Sequence, residues 1–183
     1  MPDFEMPDQR KRITERQPVA SDASGDAAEQ ERALRIAENT YGWSSIEVSR
    51  ILVDLGGLHR SAGRLAEAHK AYVGALEIAE EILGPDHAEL ARIYHYLAEL
   101  ELTRGRFVTG EPYARRSLEI RERTPGVTGA DLADPMKVLA ALLVGQGRSA
   151  ESELLRRSAD AVFGSAGGGS GEAKSEALKR NPE

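Results

Sequence analysis

The chain predicts an all-α solenoid, and three observations predict it. The sequence repeats itself every 42 residues: Gly63, Gly105 and Gly147 coincide, each followed by Arg (Arg64, Arg106, Arg148), and so do Leu55, Leu97 and Leu139. Between these marks apolar residues recur at helical spacing, which gathers them on one face of a helix. The helical stretches end at glycines, the residue that most readily closes a helix in the left-handed conformation. A fixed period of this size belongs to stacked arrays, in which no unit buries its apolar face alone.

Taken in order, residues 1–27 are polar and aperiodic and read as a disordered leader. The helical period starts at Ala28, where Leu34, Ile36, Ala37 and Tyr41 fall on one side of a lead helix that ends at Gly42. Ser44 or Ser45 caps the next helix, which carries Val48, Ile51, Leu52, Leu55 and Leu58 and stops at Gly63. Its partner carries Leu65, Ala68, Ala71, Tyr72, Ala75, Leu76 and Ile78 and stops at Gly84-Pro85. The second unit repeats the plan, with Leu90, Ile93, Tyr94, Leu97 and Leu100 before Gly105, and Phe107, Tyr113, Leu118 and Ile120 before Pro125-Gly126. In the third unit Pro135 stands where Ile93 stands in the second. Proline is tolerated at the first position of a helix and not inside it. The expectation is therefore a helix starting near residue 134 with Asp134 as its N-cap. A last helix holds Ala150, Leu154, Leu155 and Val162 and ends at Gly164, and residues 164–183 open with a Gly/Ser-rich linker composition. The repeat domain is thus expected over residues 28–163.

Composition narrows the function. Cysteine is absent, which excludes disulfides, thiolate metal sites and a cysteine nucleophile. The four histidines show no H-x-x-x-H or H-E-x-x-H spacing, no G-x-S-x-G occurs, and Gly167 to Ser175 fails as a phosphate loop because Gly and Lys are not adjacent. The expectation is a chain that is not an enzyme and needs no cofactor or metal. A net charge of −6 argues against duplex nucleic acid as the main partner. No apolar run has the length of a membrane span and the first residues lack a signal-peptide core, so a cytoplasmic location and no membrane partner are expected. His87, in a loop between units, is expected to cap the helix that follows.

The stretch Leu83-Gly84-Pro85-Asp86-His87, then Leu97-Ala98, Gly105-Arg106-Phe107 and Glu111-Pro112-Tyr113-Ala114-Arg115-Arg116-Ser117-Leu118-Glu119-Ile120, resembles the tetratricopeptide repeat of the kinesin-light-chain type. The likeness covers about residues 33–163 and is strongest in the second unit. The family's paired Asn is replaced by Val53-Asp54, His95-Tyr96 and Lys137-Val138. A period near 42 also suits HEAT repeats. The Gly-Arg turn and the Gly-Pro-Asp-His loop favour the tetratricopeptide pattern.

The resemblance implies a right-handed superhelix of about seven helices, one lead helix and three helix pairs, whose first helices line a concave groove. The groove positions would then be Arg50, Val53, Gly57 and Arg60; Arg92, His95, Glu99 and Leu102; and Asp134, Lys137, Ala141 and Val144. Arg50, Arg60, Arg92, His95 and Lys137 make a basic stripe, suited to carboxylates on an extended peptide unless Glu99 and Asp54 already pair with it. The chaperone-type carboxylate clamp is not reproduced, because Lys137 has Val138 and Ala141 beside it. The implied function is an adaptor binding a protein or an acidic peptide. The alternative is an assembly module that self-associates or packs in a larger complex.

Overall fold

The computed structural model describes residues 23–167, and there every regular element is a helix. In order they are α1 (Ala23–Tyr41), α2 (Ile46–Ser61), α3 (Leu65–Leu83), α4 (Ala88–Thr103), α5 (Phe107–Arg123), α6 (Gly129–Gly145) and α7 (Ser149–Gly167). α2/α3, α4/α5 and α6/α7 form antiparallel hairpins, and each hairpin stacks on the next. α1 is the lead helix, packed on α2. It begins at Ala23, five residues before the expected Ala28. α7 runs to Gly167, past the expected stop at Gly164. The remainder of the expected leader and tail lies outside the described residues.

The turns explain the period. Gly42, Gly63, Gly84, Gly105, Gly126 and Gly147 all have φ between 69° and 86°, at a constant step of 21 residues. Within each hairpin the closure is the same. The Gly63 N–H donates to Arg60 O at 3.0 Å and the Arg64 N–H to His59 O at 2.8 Å; Gly105/Arg106 and Gly147/Arg148 repeat both bonds. This is the Schellman arrangement, which satisfies the last carbonyls of the helix and needs a left-handed residue.

Each hairpin closes on small residues. Ser49 of α2 faces Ala75 of α3, and its hydroxyl donates to the Ala75 carbonyl at 2.8 Å. One period on, the residue types are exchanged: Ser117 of α5 donates to the Ala91 carbonyl of α4 at 2.7 Å. In the third unit the same pair is Ala133 and Ala159, both buried. Only short side chains let two backbones approach this closely, and the hydroxyl satisfies itself on the carbonyl opposite. Around these contacts the core is aliphatic. Leu97 and Leu100 are fully buried in the cluster shared by the first two units, and Leu139 and Leu142 in the cluster shared by the second and third.

Two expectations are corrected. α6 starts at Gly129, not near residue 134, and Pro135 lies buried inside it. Thr128 is the N-cap; its N–H and hydroxyl donate to the Asp131 carboxylate at 2.8 and 2.7 Å. Asp134 is not a cap and instead faces Lys137 at 3.0 Å. The proline survives because its missing N–H would have met the carbonyl of Asp131, and Arg121 of α5 donates there at 3.2 Å instead. On α1, Ile36 and Tyr41 are 65% and 53% exposed, so they do not share a buried face with Ala37. Ile120, two periods after Ile36, is 1% exposed because flanking helices cover it. No described helix precedes α1.

Candidate functional site

The first helix of each hairpin forms one layer. α4 packs directly on α6, and ion pairs tie α2 to α4. Among the described residues the second helices α3, α5 and α7 make no comparable contact with one another. This layer of first helices carries the positions expected to line a groove. Arg50, Arg92, Asp134, Lys137 and Val144 are exposed on these helices, and Gly57, Arg60, His95, Glu99, Leu102 and Ala141 are half-buried. Val53 departs from the expectation: it is buried in the core.

The basic stripe is compensated from within. Arg50 Nε donates to Glu89 Oε1 at 2.9 Å, and Arg92 approaches the same carboxylate oxygen at 3.9 Å. The hydrogen bond from Arg50 holds the Glu89 carboxyl below its usual range, against the opposing effect of burial. Arg60 is hydrogen-bonded to Glu99, and its guanidinium carbon lies 5.9 Å from the Tyr96 ring centre. His95 is 3.5 Å from Glu99, but burial, the larger influence, pushes its pKa down and favours the neutral ring. Lys137 has Asp134. Each of these cations thus already faces a carboxylate, with Arg50 and Arg92 sharing Glu89.

A recess of about 370 Å³ opens on this layer at the first unit, lined by Gln30, Asp54, Gly57, Arg60, Tyr72 and Tyr96 over Val53 and Leu58. Its shape comes from an exchange of residue sizes. Where the second unit has Ala98 and Ala114, the first has Gly56 and Tyr72. A Cβ on Gly56 would lie 2.5 Å from the Tyr72 ring, so only glycine admits that ring between α2 and α3. Tyr72 then stacks on Tyr96, with ring centres 5.6 Å apart. Beside it Gly57 leaves the space above the Tyr72 hydroxyl open; a Cβ there would sit 3.8 Å from that oxygen.

A tetratricopeptide repeat model matches residues 47–109 and 90–159, more than half of the chain. The chain belongs to the tetratricopeptide repeat family. Among solved structures, the crystal structure of BtubC (BKLC) from P. vanneervenii superposes with a TM-score of 0.77 at 21% identity. The match covers 88% of this chain and 62% of that one, so the chain spans under two thirds of its length. At this identity the likeness concerns the fold. No curated protein matches the sequence.

Not every polar group of the tetratricopeptide array faces the groove. Glu101, 2% exposed, accepts from Arg104 Nη1 at 2.7 Å and Thr109 Oγ1 at 3.3 Å, with His69 Nε2 at 3.7 Å. It joins three successive helices near a hairpin turn and is satisfied in place. Glu111 accepts from Gln146 at 2.9 Å, Arg115 at 2.8 Å and Arg148 at 2.7 Å, clamping the third unit to the second. His87 caps α4, its Nδ1 accepting from the Glu89 N–H at 3.2 Å. The Gly56-Gly57 pair in mid-helix was the sequence signal for the recess; reading the repeat columns side by side exposes it.

Proposed function

We propose that the chain is an interaction adaptor, not an enzyme, that holds a peptide or protein segment in the groove of α2, α4 and α6. One observation carries the reading. Side chains that reach solvent recur on three consecutive first helices, among them Arg60, Arg92, His95, Glu99, Leu102 and Lys137. An extended segment laid along them would meet polar and apolar groups from every unit. Tetratricopeptide repeats generally mediate protein–protein contact, which supports the same reading. The ligand need not be acidic, because Glu89 and Glu99 already answer the arginines. No described helix is long and apolar enough to cross a membrane, and we assign the adaptor to the cytoplasm.

The test is selection of binders from a random 12-residue peptide library on the full chain, followed by groove obstruction. Leu102→Arg with Ala141→Arg should remove binding, and Glu122→Arg on the exposed face of α5 should not. Selected peptides that bind the obstructed groove with undiminished affinity would overturn the reading. A second reading, self-association, is favoured by the exposure of Ile36, Tyr41 and Trp43 (73%) at the first end of the array. Light scattering over a concentration series would then show a dimer that Trp43→Ser dissolves.

A further inference from the structure

Every cation along the groove has a carboxylate, but the recess holds oxygen atoms with no donor. Tyr72 is 1% exposed, and its hydroxyl, which faces the recess beside Gly57, makes no hydrogen bond among the described residues. Among the described residues Asp54, which lines the same recess from α2, has no hydrogen bond or ion pair; Arg92 reaches it only through the longer-range field. Gln30 brings a carboxamide from α1, also unpaired. Partial burial pushes the Asp54 pKa up, and the field of Arg92 offsets this only in part. The one cation in the wall, Arg60, is engaged by Glu99 and lies over Tyr96. Asp54 is exposed and Gln30 half-buried, so water meets these oxygens in the free protein, and whatever fills the space must supply donors in its place.

We propose that the recess takes a lysine side chain of the bound peptide. Its ammonium would donate to Asp54, the Tyr72 hydroxyl and the Gln30 carbonyl oxygen, and its methylene stem would lie over Val53 and Leu58. An ammonium has three donors and no acceptor, matching three separate oxygens. A guanidinium presents a planar fork that suits one bidentate carboxylate better. A recess of about 370 Å³ admits one long side chain and is near the lower end of ligand pockets, about 300–1,000 Å³. The second unit cannot offer the same site. There Glu99 replaces Gly57 and Ala114 replaces Tyr72. The recess would therefore anchor a ligand in one register along otherwise similar repeats.

This proposal rests on the groove-binding reading, and the test separates the two. The probes are the 12-residue library peptides selected on the full chain, each remade with Lys→Nε-acetyl-Lys, Lys→norleucine and Lys→Arg. Selected peptides should share a lysine, and each of the three replacements should weaken binding. Loss of a charge-assisted hydrogen bond implies roughly tenfold or more for acetyl-lysine and norleucine. Asp54→Asn and Gly57→Leu should each reduce affinity to the same extent as removing the lysine. Asp54 is exposed and its amide isostere keeps the fold, checked by thermal melting; Gly57→Leu fills the recess by a different route. As an independent readout, Nα-acetyl-lysine methylamide should shift the NMR signals of Gln30, Asp54 and Gly57 saturably, and its Nε-acetyl form should not. Peptides that bind the groove yet tolerate both norleucine and Asp54→Asn within about twofold would overturn the lysine proposal and leave the groove reading standing. Equal binding of the arginine peptide would overturn the choice of ammonium. Peptides untouched by Leu102→Arg and Ala141→Arg would remove both.

Discussion

Two neighbouring glycines should respond to the same substitution with opposite signs. Gly56 and Gly57 both sit in the interior of α2, where glycine costs about 0.8–1.0 kcal/mol relative to alanine. A methyl on Gly57 meets only the Tyr72 hydroxyl at 3.8 Å, an ordinary contact. Gly57→Ala should therefore stabilise the protein by about 1 kcal/mol, or about 2–4 °C in melting temperature for a chain of this size. A methyl on Gly56 lies 2.5 and 2.6 Å from two carbons of the Tyr72 ring. That ring is buried and stacked on Tyr96, so it has little room to retreat. Overpacking of this kind costs about 1–3 kcal/mol, which cancels or exceeds the helix gain. The net for Gly56→Ala runs from about zero to about 2 kcal/mol destabilising. Tyr72→Ala alone should cost several kcal/mol, about 3–5 for a large aromatic. In that background, however, Gly56→Ala should become stabilising, because Ala98 and Ala114 already fill the same pair of positions in the second unit. The assay is urea denaturation followed by circular dichroism on the four members of the cycle. Equal effects of Gly56→Ala in the parent chain and in the Tyr72→Ala variant would refute the contact and with it the origin of the recess.

Other outcomes follow from the packing and the ion pairs. Leu97→Ala, at a fully buried site between units, should cost about 2–5 kcal/mol, read as a large drop in melting temperature. Asp131→Ala should lower the melting temperature by removing the carboxylate bound to Thr128, while Asp134→Ala, at a position that caps nothing, should leave it nearly unchanged. Burial works to raise the Glu111 pKa, but hydrogen bonds from Gln146, Arg115 and Arg148 outweigh it and hold it at about 2. A depressed carboxylate stabilises the fold fully above its unfolded value of about 4.3 and loses that contribution as pH falls toward about 2. Melting curves across this window should therefore be less pH-dependent for Glu111→Gln than for the parent chain.

Much of the architecture was legible because it is local and repeated. Each glycine turn is decided by one residue's access to positive φ, and six of them at one spacing cannot arise by chance packing. The apolar stripes of α2 to α5 were readable for the same reason. The start of α6 was not. The rule that governs Pro135 in isolation concerns only its own helix, and the donor that replaces the missing N–H comes from Arg121 on another. Nor was the exposed face of α1 legible, because the periodic pattern of Ile36 and Tyr41 matches positions that are covered elsewhere in the array.

The groove shows the same division. The period alone put Arg50 and Arg92 on one face, since a 42-residue step returns to the same point of each unit. Whether those charges are free was a matter of side-chain reach. Glu89 on α4 extends to Arg50 on α2, and Glu99 to Arg60, across a spacing that only the stacking of units defines. What the sequence by itself determined is the repeat, its turns and the faces of its helices, because these depend on backbone conformation and on neighbours a few residues away. What only the tertiary structure decided is which carboxylate answers which cation, how Tyr72 enters the space left by Gly56, and which oxygens remain without a donor. Those depend on distances between side chains on different helices, and packing sets them.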